Sequence, residues 1–156
     1  MRLESDRLFL YPISDEAMAA LIDNERDPEL RQAYAQMLAG CVSAPAHRVW
    51  YAAWFMELKD SPGVIAGDLC FKGPCTDGAV EIGYGLREGF CGKGYMTEAV
   101  KTVTRWALTR PGVTRVEAET DPGNAASQRV LSACGFVPNG ETGEEGPRFV
   151  LTAEGA

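Results

Sequence analysis

Apolar and polar positions along this chain switch repeatedly between a period near two and a period near 3.6, which predicts short strands interleaved with helices. Leu8-Phe9-Leu10-Tyr11, ahead of Pro12, reads as a first strand. Ser14 is placed to cap a short helix through Met18, Leu21 and Ile22, and Asp27-Pro28 opens a second helix that Gly40 should end. Ser43 to about Tyr51 reads as a third, short helix. In Ala52 to Lys59, Trp54, Met56 and Leu58 alternate as in a strand, and Asp60-Ser61-Pro62-Gly63 turns the chain into a return strand over Val64 to Phe71. Ala79 to Leu86 is another strand, in which Gly83 and Gly85 suggest a bulge or a close backbone approach.

The strongest helical signal follows. Met96, Ala99, Val100, Val103, Trp106 and Ala107 line one face of a helix closed by Pro111-Gly112. Thr114 to Thr120 is a strand, and Asn124 to Cys134 a helix stopped by Gly135. Phe136-Val137 and Arg148 to Leu151 are two last strands around an acidic, Gly-rich loop. Strand, helix, strand from Val80 to Glu119 implies a right-handed parallel crossover inside an otherwise antiparallel sheet. The expected class is mixed α/β in three layers, a single domain over residues 1–156.

Composition narrows the functions. Lys+Arg 15 against Asp+Glu 22 gives a net charge of −7, so broad binding to nucleic acid is not expected. The longest apolar run, Val49 to Met56, is far short of the ~20 residues of a membrane span. The polar start Met1 to Asp6 shows no apolar leader core. Five cysteines without a C-x-x-C pair, and one histidine, supply neither a disulfide framework nor a Cys/His metal site. Reduced thiols in a cytoplasmic protein without a metal is the expectation.

The chemistry concentrates in Gly89-Phe90-Cys91-Gly92-Lys93-Gly94-Tyr95, between a strand end and the strongest helix. Glycines at such a junction let successive N–H groups point at an anion where the helix's positive end already favours one, so phosphate binding is predicted. A Walker loop does not fit, because Arg87 stands where its first glycine should be and Gly94 where its Ser or Thr should be. A dinucleotide fingerprint starting at Gly83 would need glycine at Glu88.

Glu81-Ile82-Gly83-Tyr84-Gly85-Leu86 followed by Gly92-Lys93-Gly94-Tyr95-Met96-Thr97-Glu98-Ala99 resembles the cofactor motif of the GNAT acyltransferases. Asn124 to Leu131, then Gly135-Phe136, resembles that superfamily's second motif. Leu3 to Leu10 resembles the first strand of the branch that includes the ribosomal-protein-alanine N-acetyltransferases. The resemblance implies a mostly antiparallel sheet with one splayed parallel pair and helices on both faces. It implies acetyl-coenzyme A as cosubstrate, with the pyrophosphate on the amides of Cys91, Gly92, Lys93, Gly94 and Tyr95 and the pantetheine along the edge near Leu86. Asn124 would bond the pantetheine and Ser127 would face the same cofactor; an ordinary helix cap is the competing reading of both.

The implied reaction is direct attack of a primary amine on the thioester, the acceptor being a protein N-terminus or a small molecule. Glu119 is the preferred base, with Glu117, Glu81 or a water chain as rivals. Many members carry a tyrosine acid seven residues after the asparagine, where this chain has Leu131. Water or Ser127 would then protonate the thiolate, or, since a thiolate is a good leaving group, the step needs no dedicated acid. Gly89 also replaces the usual Gln or Arg. A catalytically silent acyl-coenzyme A binding module is the alternative from another class. A monomer or homodimer is expected.

Overall fold

The computed structural model describes residues 1–156. The elements are β1 (Leu3–Glu4), β2 (Leu8–Pro12), α1 (Asp15–Asn24), α2 (Pro28–Ser43), a 3₁₀ segment (Pro45–Trp50), β3 (Ala53–Leu58), β4 (Ile65–Phe71), β5 (Ala79–Leu86), α3 (Tyr95–Leu108), β6 (Arg115–Glu119), α4 (Ala125–Ala133), β7 (Val137–Thr142) and β8 (Pro147–Thr152). They form one eight-stranded sheet in the order β1-β2-β3-β4-β5-β6-β8-β7. Only β5 and β6 run parallel, joined by α3 as the crossover pattern required.

Alternation along the strands separates the two faces. One face carries Leu8, Leu10, Trp54, Met56, Leu69, Phe71, Val80 and Ile82 against Met96, Ala99, Val100 and Val103 of α3 and Leu131 of α4. The other carries Ala53 against Met18 of α1 and Tyr34 of α2, with Tyr11 and Phe55 beside them. Helices therefore cover both faces. The first core is anchored by aromatic rings: Trp50 lies 4.8 Å from Phe71 and Trp54 lies 5.2 Å from Trp106, centroid to centroid. Trp54 also donates its indole N–H to the Val49 carbonyl over 2.9 Å.

Some expectations are corrected. α2 runs through Gly40 to Ser43, because Gly40 is a close-approach glycine: a Cβ there would strike the Tyr51 ring. The third helix is a 3₁₀ segment, and the two-residue β1 had no readable period. Gly83 and Gly85 make no bulge, since β4 and β5 pair in unbroken register from Gly67↔Leu86 to Phe71↔Ile82. The irregularity lies instead between Met56 and Glu57 on β3. All five cysteines are free.

The fully buried Trp54 sets a stability test. Trp54→Ala should lower the urea unfolding free energy by about 3–5 kcal/mol through cavity formation. Val42→Ala, at a position 63% exposed, should change it by under about 0.5 kcal/mol. Comparable small losses in both would show that the aromatic cluster does not anchor the core.

Candidate active site

Strands β5 and β6 are bonded only from Ala79↔Arg115 to Ile82↔Ala118. Beyond that, β5 continues through Gly83 to Leu86 while β6 ends at Glu119, so the parallel pair opens. The chain then turns into α3 through Gly92 (φ 77°) and Gly94 (φ 81°), a left-handed backbone that other L-residues resist. No amide from Cys91 to Thr97 donates to any other group of the chain. These free donors at the positive end of a fourteen-residue helix form an anion cradle.

The cradle is held from behind. Arg7 Nη1 donates to the Lys93 carbonyl (2.9 Å), and its guanidinium lies 4.4 Å from the centre of the Tyr95 ring. Arg7 Nε and its amide donate to the two Glu98 oxygens over 2.9 and 2.8 Å, and the Ser5 hydroxyl joins the same carboxylate. Burial opposes ionisation of Glu98, but the bonds from Ser5 and Arg7 outweigh it and hold the carboxyl below its ordinary range.

A cleft of about 440 Å³ opens beside the cradle. It brings together Leu86, Cys91, Gly92, Gly94 and Tyr95, five of the residues predicted to hold cofactor, with Arg129 and Val130 of α4. Lys93, Asn124 and Ser127 do not line it. Asn124 caps α4, its Oδ1 accepting from the Ser127 amide at 3.0 Å, so the cap reading holds for that oxygen. The Ser127 hydroxyl lies 2.8 Å from the Tyr84 hydroxyl, which bridges β5 to α4 across the opening. Leu131 is wholly buried in the core and presents no polar group.

Free amides at a helix start, one arginine at the rim and an apolar wall fit a pyrophosphate with a thiol-bearing arm. Arg129 escaped the sequence reading, although a cation one turn into α4 could have flagged it. The buried Thr120 hydroxyl, at the end of β6 where the strands part, has no partner.

The three candidate bases share the sheet face that the α1 and α2 helices cover, and Arg148 of β8 gathers them. Its Nη1 lies 2.6 Å from Glu119 Oε1, and its Nη2 lies 2.8 Å from Glu81 and 3.5 Å from Glu117. The second Glu119 oxygen accepts the Glu145 amide at 2.7 Å, and Glu81 also pairs with Lys72 at 2.8 Å. The Glu145 amide and then Arg148 hold the Glu119 carboxyl below the ordinary glutamate range. Burial resists ionisation of Glu81, but Lys72 and Arg148 prevail and lower it too. Arg148 was legible only as a cation beginning an apolar strand.

These depressed carboxyls bind protons more weakly in the folded chain than in the unfolded one. Their stabilisation is present above the ordinary glutamate range, near pH ~4.3, and is lost as pH falls through the lowered folded values. Arg148→Met leaves Glu81, Glu117 and Glu119 facing one another. Its urea midpoint should fall well below that of the unaltered chain at neutral pH, and the gap should narrow below about pH 4. A gap independent of pH would mean that Arg148 packs rather than pairs.

The comparisons with known proteins agree with this geometry. The family described as acetyltransferase (GNAT) domain matches residues 5–137. The uncharacterized N-acetyltransferase YjdG of Bacillus subtilis (strain 168) is 31% identical over 94 residues, 60% of this chain and 56% of that protein. The chain thus spans little more than half the length of this curated relative. The crystal structure of a ribosomal-protein-S5-alanine acetyltransferase from Vibrio fischeri superposes with a TM-score of 0.75 at 19% identity, covering 100% of this chain and 99% of that one. A ribosomal L7/L12 alpha-N-protein acetyltransferase in complex with coenzyme A gives 0.75 at 16% identity, covering both chains completely (100% and 100%). At such identities these two structures speak for the fold alone. The family match extends over most of the chain and includes both the splayed strands and the glycine cradle: this chain belongs to the GNAT acetyltransferase family.

Proposed function

We propose that this protein transfers an acetyl group from acetyl-coenzyme A to a primary amine. The observation that carries this reading is the row of unpaired amides from Cys91 to Thr97 at the mouth of the β5–β6 opening. Backbone dipoles bind the pyrophosphate without basic side chains, which suits a chain of net charge −7. Arg129 adds one cation at the rim, and the free edge of β5 at Leu86 pairs with the pantetheine. The bound cosubstrate supplies the thioester that the amine attacks.

The attack needs a proton acceptor. Glu119, the preferred candidate from sequence, has both oxygens engaged, by Arg148 and by the Glu145 amide. Its lowered pKa makes it a weak base, and its place is to hold Arg148 and the β7–β8 turn. On the leaving side, Leu131 supplies no proton; the departing thiolate takes one from water or from the Ser127 hydroxyl, which pairs with Tyr84 at 2.8 Å, or leaves without a dedicated acid. The engaged Glu119 and the apolar Leu131 are also what a silent acyl-coenzyme A binding module would show. Release of thiol during incubation with amines separates the two.

Calorimetry with acetyl-coenzyme A tests the cradle. Gly92→Val forces a branched side chain into left-handed backbone and should weaken binding about tenfold or more, given a strain of ~1–2 kcal/mol. Lys93→Ala should weaken it less than about threefold, and a larger loss from the lysine change would mean that side-chain charge holds the phosphates. For Glu119→Gln, the maximal rate of thiol release should fall less than about tenfold with acetyl-coenzyme A affinity unchanged. A general base contributes ~100- to ~10,000-fold, so a hundredfold loss would return that role to Glu119.

A further inference from the structure

On the α1 and α2 side of the opening lie two adjoining cavities of about 360 and 430 Å³, which share Leu30, Tyr34, Asp68 and Gly85. The first is walled mainly by apolar groups, among them Ala33 and Met37 of α2 and Ala53 and Leu69 of the sheet. Glycine at Gly83 and Gly85 keeps it open, and a Cβ built at Gly85 meets nothing within 4 Å. Asp68 pairs in register with Gly85, so its carboxylate stands beside the segment of β5 that has lost its β6 partner.

That carboxylate lacks a cation partner, as does Glu57 of β3, which accepts the Tyr11 hydroxyl. Glu81, Glu98, Glu117 and Glu119 all have arginine or lysine partners. Asp68 has no cation within 4.0 Å and accepts one side-chain bond, from the Tyr34 hydroxyl at 2.7 Å to Oδ2. Arg87 lines the outer cavity and its charge favours the ionised Asp68, but it forms no ion pair with it and lies 5.5 Å from the centre of the Phe55 ring. A half-buried anion facing an apolar cavity of ligand size, with one oxygen free, is the complement of an ammonium on an apolar body.

We propose that Asp68 anchors the acceptor's ammonium and takes its proton, and that the acceptor is a small, singly charged primary amine carrying a compact apolar group. This rests on the acetyl-transfer reading above and identifies the amine that reading requires. One ammonium proton passes to the Asp68 carboxylate, and the freed lone pair forms the new C–N bond at the thioester carbonyl carbon. The C–S bond breaks, the thiolate leaves with its electron pair and takes up a proton, and the nitrogen loses a second proton as the amide forms. Burial raises the Asp68 carboxyl above its ordinary range despite the Tyr34 bond, which equips it to accept a proton. The wall offers no second carboxylate deep in the cavity; Glu25 lines only the outer of the two. A polycation would leave a charge unpaired there, and a peptide N-terminus would have to bury polar backbone against Leu30 and Met37.

The test uses three probes in a thiol-release assay: 2-phenylethylamine, spermidine and a short peptide with N-terminal alanine. Calorimetry with acetyl-coenzyme A runs alongside. Expected are a kcat/KM highest for 2-phenylethylamine and a loss of about a hundredfold in Asp68→Asn, with partial recovery in Asp68→Glu. Acetyl-coenzyme A affinity should stay within about twofold. The unaltered protein should bind 2-phenylethylamine more tightly than the neutral isostere 2-phenylethanol, and Asp68→Asn should erase that preference, a change that a purely structural aspartate would not produce. Failure to bind acetyl-coenzyme A, or binding without thiol release from any probe, rejects the transfer reading itself. Transfer that favours spermidine or the peptide overturns the substrate class. Transfer that survives Asp68→Asn within about threefold, with the preference over the alcohol kept, overturns the anchor.

Discussion

Past Ile82 and Ala118 the two parallel strands stop sharing hydrogen bonds, and the chemistry of this protein is arranged around that parting. Gly83 to Leu86 are half-buried or exposed there, so the amides and carbonyls of that strand edge are open to solvent or to a ligand. On one side stands the amide cradle of Cys91 to Thr97, and on the other the apolar cavity over Gly83 and Gly85. The unsatisfied Thr120 hydroxyl lies at the same parting. The helix dipole, the glycine backbone and the strand edge thus belong to one arrangement of unspent donors that a cosubstrate can occupy.

Charge is distributed to suit it. Arg129 is the one basic side chain lining the cleft beside the cradle, and Arg7 supports the cradle from behind through Glu98 and the Lys93 carbonyl. This keeps the binding surface rigid, because N–H groups fixed by backbone lose no side-chain entropy on meeting an anion. It also explains how an acidic chain can be built to take an anionic cofactor. The positive potential is local and comes from dipoles, while the net negative charge disfavours unrelated polyanions.

Local signals were legible and long-range ones were not. The face of α3 could be read because Met96 to Ala107 keep one period, and the cradle because its glycines sit at a strand-to-helix junction. Gly40 has the local look of a helix stop, but its reason is the Tyr51 ring, which no local pattern reveals. Of the two consequences that Gly83 and Gly85 suggest, the bulge is absent, while a close backbone approach exists where Gly67 faces the Gly85 carbonyl, and the missing side chains leave the cavity open. Arg148 meets Glu81 across β6, and the order β5-β6-β8 exists only in the folded sheet. Tyr34 and Asp68 are likewise joined by the packing of α2 on β4. A helix face and a strand face each announce an apolar stripe, but not which polar residue of one will meet which of the other.

That limit matters most for the proton acceptor. From sequence, Glu119 had position in its favour: a strand end just before the second motif. The fold adds what position omits, the company each carboxylate keeps. Arg148 and a backbone amide stabilise the charged form of Glu119, and the same stabilisation removes its readiness to take a proton. Asp68 is set differently: its burial disfavours the charge and raises its affinity for a proton, outweighing the Tyr34 hydroxyl and the Arg87 charge, which favour the ionised form. A carboxyl raised in this way lowers fold stability as pH climbs through its folded value, since its protonated form is the one the fold prefers. A buried carboxyl without an ion-pair partner at the edge of a ligand-sized cavity is a destabilising group, and an incoming ammonium is the partner that relieves it.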